Sequence, residues 1–167
     1  PVDAVGERSR PLDMDFSVSL GDNVKLRGFG LDGAMTGSLR LRERLGRRAT
    51  ALGTLQVSGK YRAYGQALTI QRARLSYANV PFDNPTLDIR AERDFERVVV
   101  GVQVRGTALR PETTVVSSPS METSEALSWL VFGRPLSTTS AGENEQLGAA
   151  ALALGAGGNL VAQQLGA

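Results

Sequence analysis

Leu12, Met14, Phe16, Val18 and Leu20 alternate with Asp13, Asp15, Ser17 and Ser19, the period-2 signature of a strand with one dry face. Gly21, Asp22 and Asn23 carry turn chemistry. Val24 and Leu26 restart the alternation, Gly28 and Gly30 interrupt it, and Leu39 and Leu41 resume it ahead of an Arg-rich turn around Gly46. Leu55, Val57, Gly59 and Tyr61 form a further stretch, followed by Leu68 and Ile70. The parity then slips by one residue before Ala73, Leu75 and Tyr77, which predicts a bulge or bend in a long strand. A proline-rich turn over Val80–Pro85 leads to Leu87, Ile89 and Ala91, a polar loop over Glu92–Arg97, and a strand with Val98, Val100, Val102 and Val104 on one face. A last strand runs from about Ala108 to Val116. The pattern predicts roughly seven to nine antiparallel strands joined by short loops.

Beyond Pro119 the period changes. Ala126, Leu127, Leu130 and Val131 recur at helical spacing and Gly133 with Pro135 provides a stop. Ser140 and Glu143 fit a capping box ahead of a second helix, whose stripe is predicted as Leu147, Ala151, Leu154, Gly158, Val161 and Leu165. Its glycines weaken it, so it needs a surface to dock on. The expected architecture is mainly β: one large curved antiparallel sheet forming an open trough or half-barrel with an apolar interior, plus two C-terminal helices. Residues 1–11 are expected to be a linker and 12–167 a single domain, with the sheet over 12–118 and the helical tail over 119–167.

Composition narrows the chemistry. The 167 residues include no cysteine and no histidine, so disulfides, thiolate zinc sites and the commonest catalytic base are excluded. The net charge of +2 conceals an asymmetry: residues 1–111 hold 18 Lys or Arg against 12 acids, and residues 112–167 one Arg against five acids. Arg40, Arg42, Arg44, Arg47 and Arg48 are the densest basic run and resemble a phosphate-binding patch. Because Arg40 and Arg42 alternate with Leu39 and Leu41, a solvated strand face ending in a charged turn is the stronger reading. No segment has the form of a signal peptide, and no apolar run approaches the ~20 residues of a spanning helix. The piece is expected to be soluble, or peripheral at most.

Gly28, Gly30 and Gly33 spell GxGxxG, but a strand pattern follows where a dinucleotide site needs a helix N-terminus. Asp13 and Asp15 share a strand face and could in principle share a proton or cation, with a solvated surface the stronger reading. The expectation is of no catalytic residue, no cofactor and no metal site, hence not an enzyme.

Four segments in order, Gly28–Leu31 with Gly37–Leu39, Gly59–Tyr61 through Tyr64–Gln66 to Ile70, Asn84–Pro85 with Leu87–Ala91, and Ala126–Pro135, resemble the C-terminal domain of the TamB family. The resemblance implies a periplasmic domain of a Gram-negative cell, joined upstream to a β-rich rod and an inner-membrane anchor. It also implies a partner, the Omp85-class outer-membrane barrel TamA, and work in the insertion or secretion of outer-membrane proteins such as autotransporters. The alternative it implies is phospholipid transport between the membranes, as for AsmA-like relatives. Two departures stand out: Ala73 lies where the family has glycine, and a further terminal segment is expected beyond Ala167.

Residues and resemblance converge on an apolar trough that could hold an acyl chain or a non-native β-strand. Its predicted lining is Leu12, Met14, Phe16, Val18, Leu20, Leu39, Leu41, Leu55, Val57, Leu68, Ile70, Leu87, Ile89, Val98, Val100, Val102 and Val104. Trp129 and Phe132 flank the first helical stripe as a candidate partner contact, with a packed core role as the commoner fate of such residues.

Overall fold

The computed structural model describes residues 13–155 except Tyr64, and nothing of the side chains of Asn23, Ala63 and Gly155. The expected linker, Leu12 in the lining, and Gly158, Val161 and Leu165 in the second helical stripe lie outside the described residues. Seven strands follow one another: β1 (Met14–Gly28), β2 (Leu31–Glu43), β3 (Thr50–Ala63), β4 (Gln66–Pro81), β5 (Thr86–Asp94), β6 (Val99–Thr107) and β7 (Arg110–Ser118). Two α-helices, α1 (Thr123–Phe132) and α2 (Ala141–Gly155), with a single 3-10 turn (Leu136–Thr138) between them, complete the described chain. Each strand pairs antiparallel with its neighbour in sequence, in the order β1-β2-β3-β4-β5-β6-β7, and the sheet does not close.

The register puts the predicted apolar positions on one face. One transverse row runs Val18–Leu39–Gly53–Tyr77, and the next Leu20–Gly37–Leu55–Leu75–Leu87. Each of the two glycines lies beside a leucine on a neighbouring strand, and the leucines fold over these gaps: Leu39 and Leu55 are 7% and 8% exposed. A Cβ on Gly53 would lie 2.2 Å from the Ser38 carbonyl oxygen, and φ there is +135°. The glycines thus let the sheet bend hard enough to bury leucines on a face where, among the described residues, no helical residue packs above them.

The parity slip after Ile70 is a bulge: the β3–β4 register shifts between Gln56 and Gly59, and the β4–β5 register between Ile70 and Arg72. The predicted turn at Gly21–Asn23 is instead a second irregularity inside β1. Leu20 pairs with Gly37 and Val24 with Met35, so three residues of β1 face the single Thr36. Turn chemistry here serves a bulge because β2 continues unbroken alongside. The reversal comes at Phe29–Gly30, with φ of +49° and +84°.

The helix α1 buries Ala126, Leu127, Ser128 and Leu130 and ends at Gly133, whose left-handed backbone lets its N–H donate to the Trp129 carbonyl at 2.9 Å. Ser140 and Glu143 make the predicted capping box before α2: the Ser140 N–H donates to the Glu143 carboxylate at 2.7 Å and the Glu143 N–H to the Ser140 hydroxyl at 3.4 Å. The α2 stripe differs from the predicted one: Ala150 is buried beside Leu147, Leu154 packs against the same core, and Ala151 is exposed. Spacings of three then four and four then three suit a helix equally, and alanine carries too little area to signal which.

Candidate functional site

The concave face divides into a roofed half and an open half. Leu68, Ala91 and Val100 from β4, β5 and β6 form one core with Ala126, Leu127, Leu130 and Leu147 of the helices, with Ile70, Val98 and Val102 packed at its margin. Val100 has no exposed surface. Of the predicted lining residues, Leu68 and Val100 therefore lie in the roofed core and off the free surface, and Ile70, Val98 and Val102 are half-buried against it. Leu87, Ile89 and Val104 are half-buried on the same face.

The second cluster, Leu39, Ala51, Leu55 and Tyr77 with Leu20, Met35, Leu41, Leu75 and Val80 around it, contains no helical residue. Val57 is half-buried on the same face. At its outer side β1 presents Met14, Phe16 and Val18, which are 42%, 48% and 39% exposed. Among the described residues β1 has a strand neighbour on one side only, so its outer backbone groups form a free edge beside this apolar surface. Burial pushes the Tyr77 phenol above its ordinary value.

The ion pairs of the strands lie on the opposite face. Arg40 grips Asp15 with two hydrogen bonds of 2.8 and 2.9 Å, and Arg42 adds a third at 3.1 Å. The Arg40 hydrogen bond holds the Asp15 carboxyl below the ordinary carboxylate value. Arg72 pairs with Asp88 at 2.8 Å and Arg90 with Glu92. The strand part of the basic run is thus a cross-strand ion-pair surface, and Asp15 serves the arginines as acceptor.

The candidate partner contacts stand inside the helical unit. Trp129 is half-buried against the Phe95 ring at a centroid distance of 5.3 Å, and the Arg134 guanidinium lies over the Phe132 ring at 5.6 Å. Both aromatics pack against the roofed core. Residues that sequence reasoning passed over fasten this unit. The wholly buried Ser128 donates its hydroxyl to the Arg134 carbonyl at 2.8 Å, the Leu136 N–H donates to the Glu125 carboxylate, and Arg134 pairs with Glu143 of α2. A Cβ at Gly133 would meet the Phe95 ring at 3.2 Å. The Ala126–Pro135 segment is therefore a self-fastening roof. Serine, glutamate and arginine at these spacings carry no generic signal, because their partners are set by tertiary folding.

A bent antiparallel sheet with an apolar floor, covered among the described residues by its own helices over about half its width, defines a class: an open β-trough domain with a preformed apolar surface. The sequence pattern of the TamB C-terminal domain matches residues 6–167, and the chain belongs to that family. It is similar to the translocation and assembly module subunit TamB of Haemophilus influenzae, at 33% identity over 147 residues, covering 84% of this chain. The match spans 11% of that curated relative's length.

Proposed function

We propose that this domain acts in the periplasm as part of a translocation and assembly module, together with the barrel protein TamA, in inserting outer-membrane proteins. In this reading the open half of the trough and the free edge of β1 receive an extended segment of a client. Backbone hydrogen bonds to the edge supply affinity, and alternate apolar side chains of the client settle on the floor. The observation that carries the reading is the exposure of Met14, Phe16 and Val18 beside a strand edge that has no partner among the described residues. Membership of the TamB family supports it.

Site-specific photo-crosslinking in cells tests it, with the crosslinker placed at Phe16, at Val18 and at Val100. Adducts with polypeptide are expected at Phe16 and Val18 and none at Val100, which is sealed beneath α1. Phospholipid adducts at Phe16 would replace this reading with phospholipid transport. No adduct at either β1 position would overturn both.

A further inference from the structure

Three reversals lie side by side along one end of the sheet, the end away from the helical roof: the β2–β3 hairpin (44–49), the β4–β5 turn (82–85) and the β6–β7 hairpin at Ala108–Leu109. They are tied together. The Phe82 N–H donates to the Ala49 carbonyl at 3.3 Å, the Ala108 N–H to the Pro85 carbonyl at 3.0 Å, and the Leu109 N–H to the Asn84 side-chain oxygen at 3.0 Å. Each reversal carries one large exposed apolar residue: Leu45 at 72%, Phe82 at 52% and Leu109 at 57%. With strands spaced roughly 4.8 Å apart, the three tips form a row on the order of 20 Å long. Arginines accompany them: Arg44, Arg47 and Arg48 in the first hairpin and Arg110 just after the last. Asp83 is the one acid within these reversals and pairs with Arg48 at 3.7 Å. Among the described residues Arg44, Arg47 and Arg110 have no carboxylate partner.

We propose that this rim docks the domain on an anionic lipid surface. Separate apolar tips backed by cations suit the layered polarity of a bilayer interface: the side chains enter the headgroup–acyl boundary while the arginines meet phosphate oxygens. A folded protein partner would instead require a pocket or flat apolar patch to hold an anchor. The depression between Met14 and the first hairpin is lined by Arg44, Arg47 and Arg48 with Glu43, Met14, Leu45 and Gly46, so three cations outweigh one carboxylate beside apolar side chains, a mixture that suits an anionic headgroup. The open half of the trough faces the same end, since Met14, Leu41, Ala51 and Val80 of that half stand nearest these reversals in the register. The inference concerns the rim alone and holds whichever cargo the trough carries.

The absence of native cysteine permits a clean test. An environment-sensitive fluorophore is attached to the 167-residue chain at Leu45→Cys, at Leu109→Cys or, on the opposite end, at Phe29→Cys, and phosphatidylglycerol/phosphatidylcholine vesicles are titrated in. Phe29 is 87% exposed and serves as an equally apolar control. A blue shift at positions 45 and 109 and none at 29 is expected, together with a circular dichroism spectrum like that of the parent chain. Arg44→Gln and Arg47→Gln are each expected to weaken partitioning about fivefold, and pure phosphatidylcholine vesicles to bind far less. Equal shifts at all three positions, no shift at 45, or partitioning indifferent to both the arginines and lipid charge would overturn the proposal.

Discussion

The two halves of the concave face share an alternating sequence pattern but are buried by different means. Over the β4–β6 half, side chains from two helices fill the space above the sheet, and Val100, Ala126 and Leu127 keep 2% exposure or less. Over the β1–β3 half the sheet must cover itself, and it does so through glycines that let leucines lie across neighbouring strands, with an exposed fringe at Met14, Phe16 and Val18. One solution yields a sealed core and the other an accessible surface. Alternation alone therefore marks a dry face without saying what keeps it dry.

The sharpest way to separate the halves is substitution of one apolar residue in each, a core residue under the roof and a fringe residue in the open half. Leu127→Ala under the roof is expected to cost about 2–5 kcal/mol, read from the urea midpoint. Phe16→Ser on the open fringe should change the stability read from that midpoint by less than about 0.5 kcal/mol. Equal costs would erase the distinction. Within the open half, Gly53→Ala is expected to destabilise by about 1–3 kcal/mol, since φ of +135° and the nearby Ser38 carbonyl both oppose a Cβ. A neutral result there would show that bending does not depend on this glycine.

The smallest effect belongs to the outer face. The Asp15 carboxyl is held below its ordinary 3.8 by Arg40, so it binds a proton less readily in the folded chain than in the unfolded one. Its stabilising contribution is complete above about pH 4 and disappears as the pH falls through the lowered value. Urea midpoints of the parent chain and Asp15→Asn should differ slightly at neutral pH and converge in strong acid.

Much of this was legible in the sequence for a local reason. Strand positions follow from side chains that alternate with period two, and even the bulge after Ile70 announced itself as a parity slip. Gly21–Asn23 misled because the same residues suit a turn and a bulge, and only the unbroken partner strand decides between them. The lining at Val100 and the lining at Phe16 looked alike because each strand's alternation records its own dry face. Which face receives the helices is fixed by docking between residues far apart in the chain. The fastening of α1 through Ser128, Glu125 and Arg134 was invisible for the same reason.

Strictly sequential pairing of the strands has a consequence for how the chain comes to be folded. Every hairpin can close with the segment just made, without waiting for distant chain, which keeps the loop-closure cost of each step small. Along the described residues the strands of the open half come before the helices. Among the described residues, the half without helical cover relies on glycine-permitted curvature and the cross-strand ion pairs beneath it.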